Sequence, residues 1–467
     1  MAADAPGPFR AGRKRGGRRM SAGTHRAESA VDADARERFR AGLDRNFSVI
    51  APAGAGKTRA LVERIVALAE RDQRSGSRCL AQLVVVTYTN KAAEEMQQRA
   101  RSAMVARHLD FSVLALFNRA FFGTIHSFCL RLLQENAHLL GLPSRLNVLH
   151  PEDALWNDFV RHVSSVPGFL KGPEAECLRY MGMEEIFRLA RSARPWWSPP
   201  ECGSRPRVDI SPILDFPEKG RGSANILRFK DVISAWYNIH ENQPESFCGL
   251  PVVDKGGAKF EMTAARVLDP LKGWLGRLSW AAALKIAHAY RAYRVARGYL
   301  TYTDQIYLTH HLLHQRPEVL RRTRGQALIV LLDEAQDTDP LQFDILLEIT
   351  RPEEAPCGWR RQPDPGPAPG RFCMVGDPQQ SIYSERADLE YYGRVRRYLK
   401  RPPHGEEVTF EVTFRCDAAV VTFVNQVGPV ILPGSGSQAC FVRLQPRPGH
   451  APGTVLRLAP QFPPSTS

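Results

Sequence analysis

The chain sets short, continuously apolar runs between longer stretches whose apolar residues recur every three to four positions. Phe47 to Ile50 and Leu83 to Thr87 are runs of the first kind; ALVERIVALAE, from Ala60 to Glu70, is a stretch of the second. Short unalternating runs read as strands buried on both faces, and the longer period reads as helices, so residues 35 to about 148 predict a parallel α/β layer. From about 149 to 300 the pattern is mainly helical, broken by a polar, Pro-rich interval from Ser192 to Ser223. The α/β pattern resumes with Leu328 to Asp333 and Arg371 to Asp377. Between those two strands, Arg351 to Arg371 holds six prolines and three glycines, which predicts a flexible surface loop. From about 405 onward, EVTFEVTFRC and AAVVTFVNQV read as a strand and helix opening a second core, and the final APQFPPSTS reads as loop.

Directly after the run FSVI comes APAGAGKTR, Ala51 to Arg59, and then a helix-period stretch. Gly54 and Gly56 lack a Cβ, so the backbone there is free to turn its N–H groups inward around a polyphosphate while the next helix presents its positive end. Lys57 is placed to reach the β- and γ-phosphates, and the Thr58 hydroxyl to hold Mg²⁺. The nine residues Ala51, Pro52, Ala53, Gly54, Ala55, Gly56, Lys57, Thr58 and Arg59 are therefore the predicted nucleotide cradle. Ala51 stands where the pattern G-x-x-x-x-G-K-[ST] begins with Gly.

A phosphate loop needs a carboxylate element, and LIVLLDEAQDTD supplies one. Five consecutive apolar residues, Leu328 to Leu332, predict a buried strand whose carboxyl end delivers Asp333 and Glu334 to the ligand crevice. Asp333 is the predicted metal ligand. Glu334 is the predicted base that aligns and deprotonates the attacking water.

TYTNKAAEEM (Thr87 to Met96), GTIHSFC (Gly123 to Cys129), DEAQD (Asp333 to Asp337), VGDPQQSIY (Val375 to Tyr383) and VTFRC (Val412 to Cys416) follow in the order found in UvrD/Rep-type superfamily 1 DNA helicases. The chain resembles that family from about Asp34 to about Leu458, and TIHSFCLRLL and GDPQQSIY are similar to its RecB/AddA-like branch. The resemblance implies an α/β fold: a RecA-like P-loop core with a parallel sheet, a mainly helical insertion, and the start of a second RecA-like core. The corresponding divisions are a disordered basic tail over 1–31, first-core segments over 32–148 and 301–404, the insertion over 149–300 and the second core from 405 to 467.

The same resemblance implies residue roles. Lys57 and Thr58 match positions that bind phosphate and Mg²⁺, and Asp333 and Glu334 match those that bind metal and activate water. Gln380 matches a γ-phosphate sensor coupled to DNA, Phe414 a ring that stacks on adenine, Arg415 an arginine that reaches the γ-phosphate, and Arg59 a position near the base. Tyr88, Asn90, Thr124, His126 and Tyr383 match positions lining a single-stranded DNA track. A motor that ignores sequence suits aromatic stacking and phosphate contacts, which is the role predicted for Tyr88 and Tyr383.

Departures limit the match. The family carries a Gln upstream of the phosphate loop that reads adenine, and Asp32 to Asn46 contains none. After Tyr383 the family continues with an aromatic and Arg-Gly, whereas this chain reads Ser384, Glu385, Arg386 and Ala387. Beyond Arg415, 52 residues remain and none resembles the later motifs, so the expectation is the front part of a helicase that binds ATP and hydrolyses it slowly. A partner subunit or a separately encoded C-terminal half would complete it.

At 467 residues, 43% hydrophobic and 24% charged, the composition is that of a globular protein of several domains. The net charge is +14, of which residues 1 to 30 supply +5, from seven Lys/Arg against Asp4 and Glu28. The remaining +9 suits a polyanionic partner. No apolar run serves as a secretory signal or approaches the ~18 residues of a membrane span, so a cytoplasmic protein without membrane contact is expected. Nine cysteines without a C-x-x-C pair predict reduced thiols rather than a zinc or iron–sulfur site.

These readings converge on an ATP- and Mg²⁺-dependent DNA helicase or translocase, 3′-to-5′ by resemblance, acting on single-stranded or end-containing DNA in repair or recombination. The alternative is a nucleotide- and DNA-binding protein or subunit without motor activity of its own. A small-molecule kinase or GTPase is disfavoured, because DEAQD followed by GDPQQSIY has no role there and no N-K-x-D occurs.

Overall fold

The computed structural model describes residues 32–149, 153–164, 169–193, 197–219, 222–252, 256–381, 388–434, 439–449 and 452–456. The expected basic tail and Tyr383 lie outside the described residues, as do Ser384 to Ala387. The chain divides into two compact units, one built from residues up to Thr124 together with those from Arg321 onward, the other from Ile125–Leu320.

The first unit is organised by six strands: β1 (Phe47–Ile50), β2 (Leu83–Thr87), β3 (Phe121–Thr124), β4 (Ile329–Leu332), β5 (Phe372–Gly376) and β6 (Glu406–Thr409). They lie in the order β3-β2-β4-β5-β1-β6, and every pairing is parallel. All residues of β1, β2, β4 and β5 are buried, which is why their sequences are unalternating apolar runs. The two edge strands bury only Gly123 and Val408, and that partial burial is the reason Phe121–Thr124 carries no comparable signal.

Residues from 405 were expected to open a second core. Glu406–Thr409 instead pairs with β1, with Ile50 opposite Thr409 on one side and Gly376 on the other, so the first sheet takes in one strand more than the sequence pattern assigned to it. The helix α1 (Ala33–Ala41) and the helix α2 (Lys57–Ser75) pack on this sheet through Phe39, Leu61, Ile65 and Leu68. The guanidinium of buried Arg64 donates to the carbonyls of Phe39, Gly42 and Arg45, holding α2 to the turn after α1.

The Pro-rich segment 351–371 is also corrected: it is pinned rather than loose. Asn46, beside β1, donates to the carbonyls of Pro367 at 3.0 Å and His404 at 2.9 Å, while its Oδ1 accepts from the backbone N–H groups of Arg371 and Phe372 at 3.0 Å each. Glu348, fully buried near the end of the helix Pro340–Thr350, pairs with Arg324 at 2.6 Å and Arg351 at 3.2 Å and accepts from the N–H groups of Gly358 and Trp359. Arg351 in turn donates to the carbonyls of Gln362 at 2.9 Å and Pro365 at 2.8 Å. A buried ion-pair cluster thus replaces the strand or helix that composition denied this segment.

The second unit is helical, and its core gathers Trp156, Phe159, Ile233, Trp236, Phe260, Leu271 and Trp274. Its longest helix is Ala258–Val295, 38 residues carrying Pro270 internally. Helix Ile125–Glu135 joins the same unit and is tied to helix Tyr302–Gln315, Thr309 Oγ1 donating to the Cys129 carbonyl at 3.3 Å. Of the described residues between Ser192 and Ser223, only Ser211–Leu214 is helical, as the prolines there require. None of the described helices is long and apolar enough to cross a membrane.

His240 sits in this core with no exposed surface, stacked on Trp236 at 4.6 Å and hydrogen-bonded to the Tyr180 hydroxyl at 2.9 Å. Burial first, and then the nearby Arg205, lower its pKa from 6.5 to about 4. The folded form therefore holds the imidazole neutral, and the stability this contributes is complete above pH 6.5 and lost as pH falls toward 4. Denaturant titrations at pH 7.5 and 4.5 should give a loss of up to about 3 kcal/mol that His240→Gln reduces; an equal loss in both proteins would place the acid sensitivity elsewhere.

Candidate functional site

The loop after β1 begins where the sheet ends. Ala51 N–H donates to the Gly376 carbonyl of β5 at 3.0 Å and Ala55 N–H to the Pro52 carbonyl at 3.0 Å. Gly54 and Gly56 take the left-handed backbone, φ 75° and 80°, so these two positions need glycine. Ala51 is fully buried and keeps an ordinary negative φ, which explains why alanine serves there in place of the expected glycine. Helix α2 starts at Lys57 with no acidic residue in its first turn, leaving its positive end uncompensated at the loop.

The loop is gripped from outside by the residues after β6. Phe414 N–H donates to the Gly54 carbonyl at 2.8 Å, and Thr413 Oγ1 to the Ala53 carbonyl at 3.2 Å. A Cβ on Gly54 would stand 2.6 Å from both Arg415 Cβ and Thr413 Oγ1, whereas one on Gly56 would find its nearest neighbour 3.7 Å away. Gly54→Ala is therefore expected to cost about 1–3 kcal/mol, more than Gly56→Ala, because it adds a steric clash to the strain of a positive φ. Comparative thermal unfolding checks this order, and equal losses would contradict the grip on Gly54.

Opposite the loop, β4 ends in Asp333 and Glu334. Lys57 Nζ lies 2.6 Å from Glu334 Oε2, so the phosphate-loop lysine and the predicted base form an ion pair. Glu334 has φ 51°, a left-handed conformation unusual for a side-chain-bearing residue, which turns its carboxylate back toward the loop. Asp333 is nearly fully buried. Desolvation, then the neighbouring Glu334, push its carboxyl up to about 6, opposed by Lys57 and by the Glu334 N–H bond to Asp333 Oδ1 at 3.0 Å. A buried carboxyl disfavoured as an anion is a group whose charge a cation would restore, and Thr58 stands on the first turn of α2. These donors suit a hard divalent ion.

The path continues to β5. Gln336 Nε2 donates to Glu334 Oε2 at 2.9 Å, and its Oε1 accepts from Asp377 N–H at 2.8 Å. Asp377 Oδ2 accepts from Gln380 Nε2 at 2.6 Å. Lys57, Glu334, Gln336, Asp377 and Gln380 are thereby joined in one chain of polar contacts across the carboxyl ends of β4 and β5. Phe414 and Arg415 stand exposed beside the loop, and Arg59 is exposed on α2.

Of the residues predicted to line a DNA track, Tyr88 is half exposed at the end of β2, and Asn90 is exposed at the start of the helix α3 (Asn90–Ala106), which Thr89 caps by accepting from Ala92 N–H at 3.1 Å. Thr124 ends β3. His126 belongs to the second unit, where its ring meets Tyr302 edge-on at 5.0 Å. Tyr383 falls outside the described residues.

Comparison with known families settles the kinship. The model of the UvrD/REP helicase N-terminal domain matches residues 32–398. The chain belongs to that family. Among its helicase relatives, it is similar to a protein of the ATP-dependent helicase/nuclease of Moorella thermoacetica, 29% identical over 52% of this chain and 15% of the relative. It is also similar to the ATP-dependent DNA helicase UvrD1 of Mycobacterium leprae (24% identical over 81% of this chain, 37% of the relative) and to DNA helicase II of Haemophilus influenzae (24% over 84%, 39% of the relative). The chain thus spans between 15% and 39% of the length of these three UvrD/REP-type proteins.

Within this UvrD/REP core, sequence reasoning passed over three residues that the structure brings to the site. Gln336 and Asp377 were inside quoted motifs, but a lone amide or carboxylate carries no role until its partners are known. Arg36, which Asp32 holds, lies against Phe414 beside Gly56. Its i,i+4 spacing from Asp32 was available, yet the crowded charges of DADARER offer several such pairs.

Proposed function

We propose that the chain binds Mg·ATP at the loop Ala51–Arg59 and couples its hydrolysis to movement along DNA, as a helicase or translocase core acting 3′-to-5′ on single-stranded or end-containing DNA in repair or recombination. The observation that carries this reading is the continuous polar path from Lys57 through Glu334, Gln336 and Asp377 to Gln380, because it links a phosphate-gripping lysine, a base and a γ-phosphate sensor. Lys57 would leave Glu334 for the β- and γ-phosphates, and Glu334, relieved of its cation, would accept the proton of the attacking water as the γ-phosphorus bond to its bridging oxygen breaks. Mg²⁺ held by Thr58 and Asp333 would neutralise phosphate charge. Gln380 would report the loss of the γ-phosphate to the carboxyl end of β5, and Arg415 would add charge from the side of the loop.

Tyr88, Asn90, Thr124, His126 and Tyr383 would contact the DNA strand, and a cytoplasmic setting with a completing partner subunit fits this role. Steady-state ATP hydrolysis with and without single-stranded DNA tests the reading. DNA should stimulate turnover, and Lys57→Ala should weaken nucleotide binding at least about tenfold. Binding without DNA stimulation would leave a nucleotide-binding protein that is not a motor.

A further inference from the structure

Arg36 is held as a fixed instrument. Its Nε and Nη2 donate to the two carboxylate oxygens of Asp32 at 2.8 and 2.7 Å, and Asp32, itself buried, also accepts from Val412 N–H at 3.1 Å. The guanidinium lies 4.3 Å from the Phe410 ring centre and 5.3 Å from that of Phe414. Two of its three nitrogens are thus committed. The third, Nη1, has no hydrogen-bond partner among the described residues and stands 3.8 Å from where a Cβ of Gly56 would lie, a point that Phe414 Cδ2 approaches to 3.7 Å. A forked donor and a half-exposed aromatic face therefore converge at the second glycine of the phosphate loop.

We propose that Arg36 reads the nucleobase at this site and tilts it toward purines with an acceptor at position 6. This rests on the reading of Ala51–Arg59 as a nucleotide site. A side-chain amide offers one donor and one acceptor, matching the N6–H and N7 of adenine; a guanidinium nitrogen offers donors alone. Guanine and hypoxanthine present two acceptors, O6 and N7, on one edge, whereas adenine presents N7 beside an amino group that repels a second donor. Pyrimidines lack N7 and give Phe414 a smaller face. The orientation of Arg36 is set by Asp32 and the two rings, so little ordering is left to do when a base arrives.

The test measures equilibrium binding of ATP, GTP, ITP, CTP and 7-deaza-GTP to the full chain and to Arg36→Gln, each with Mg²⁺. GTP and ITP should bind more tightly than ATP and CTP most weakly, with 7-deaza-GTP about tenfold weaker than GTP. Arg36→Gln, which restores an acceptor, should swing the GTP-to-ATP ratio about tenfold toward ATP. A merely structural Arg36 would lower all affinities together and leave that ratio unmoved, which would overturn the assignment. The deaza comparison needs no variant, so equal binding of GTP and 7-deaza-GTP overturns it even where the substitution unfolds the protein. Failure of every triphosphate to bind the wild type would instead remove the nucleotide site itself.

Discussion

Glu334→Gln is expected to bind Mg·ATP at least as well as the wild type and to hydrolyse it about 10²- to 10⁴-fold more slowly, the range lost when a positioned general base is removed. The binding half of this expectation follows from the 2.6 Å ion pair between Lys57 and Glu334. In the wild type a triphosphate must compete with the carboxylate for the ammonium group, and a neutral amide relaxes that competition. The amide still accepts from Gln336, so the path to Asp377 survives, but it takes no proton from water. Equilibrium binding and single-turnover hydrolysis separate the two effects. Turnover equal to the wild type would remove Glu334 as the base, and weakened binding would mean that its charge supports the loop rather than opposing the ligand.

Glu348→Ala is the largest expected stability loss, about 3–5 kcal/mol. The carboxylate serves two buried guanidinium groups, Arg324 and Arg351, and the backbone N–H groups of Gly358 and Trp359, so its removal strands four donors at once. Glu348→Gln keeps one acceptor oxygen and should lose less. Denaturant unfolding followed through Trp359, the tryptophan of the first unit, reads both changes. A loss below about 1 kcal/mol for the alanine variant would show that the segment 351–371 is held by Asn46 and its other contacts instead.

How much of this was legible beforehand divides along burial. The four central strands are apolar on both faces, and a residue pattern records that directly; the expected limits Leu328 to Asp333 and Arg371 to Asp377 enclose the observed Ile329–Leu332 and Phe372–Gly376. Edge strands share their pattern with loops, so Phe121–Thr124 was passed over and Glu406–Thr409 was assigned to a different sheet. Segment 351–371 misled for another reason: prolines and glycines forbid regular elements, but they do not forbid anchoring, and the anchors Glu348 and Asn46 lie outside it. The loop and the acid pair were readable because their spacing is local. Gln336, Asp377 and Arg36 were not, because each acquires meaning only from a partner distant in sequence or from a choice among several adjacent charges.

The residues that follow β6 have a mechanical consequence. Phe414 and Thr413 are fastened to Gly54 and Ala53, at 2.8 and 3.2 Å, so the polypeptide leaving the sheet at Thr409 touches the phosphate cradle within a few residues. Tension on the chain beyond Arg415 would reach the cradle through that pair of hydrogen bonds, and a change in the cradle's shape would pull back on that chain by the same short tether.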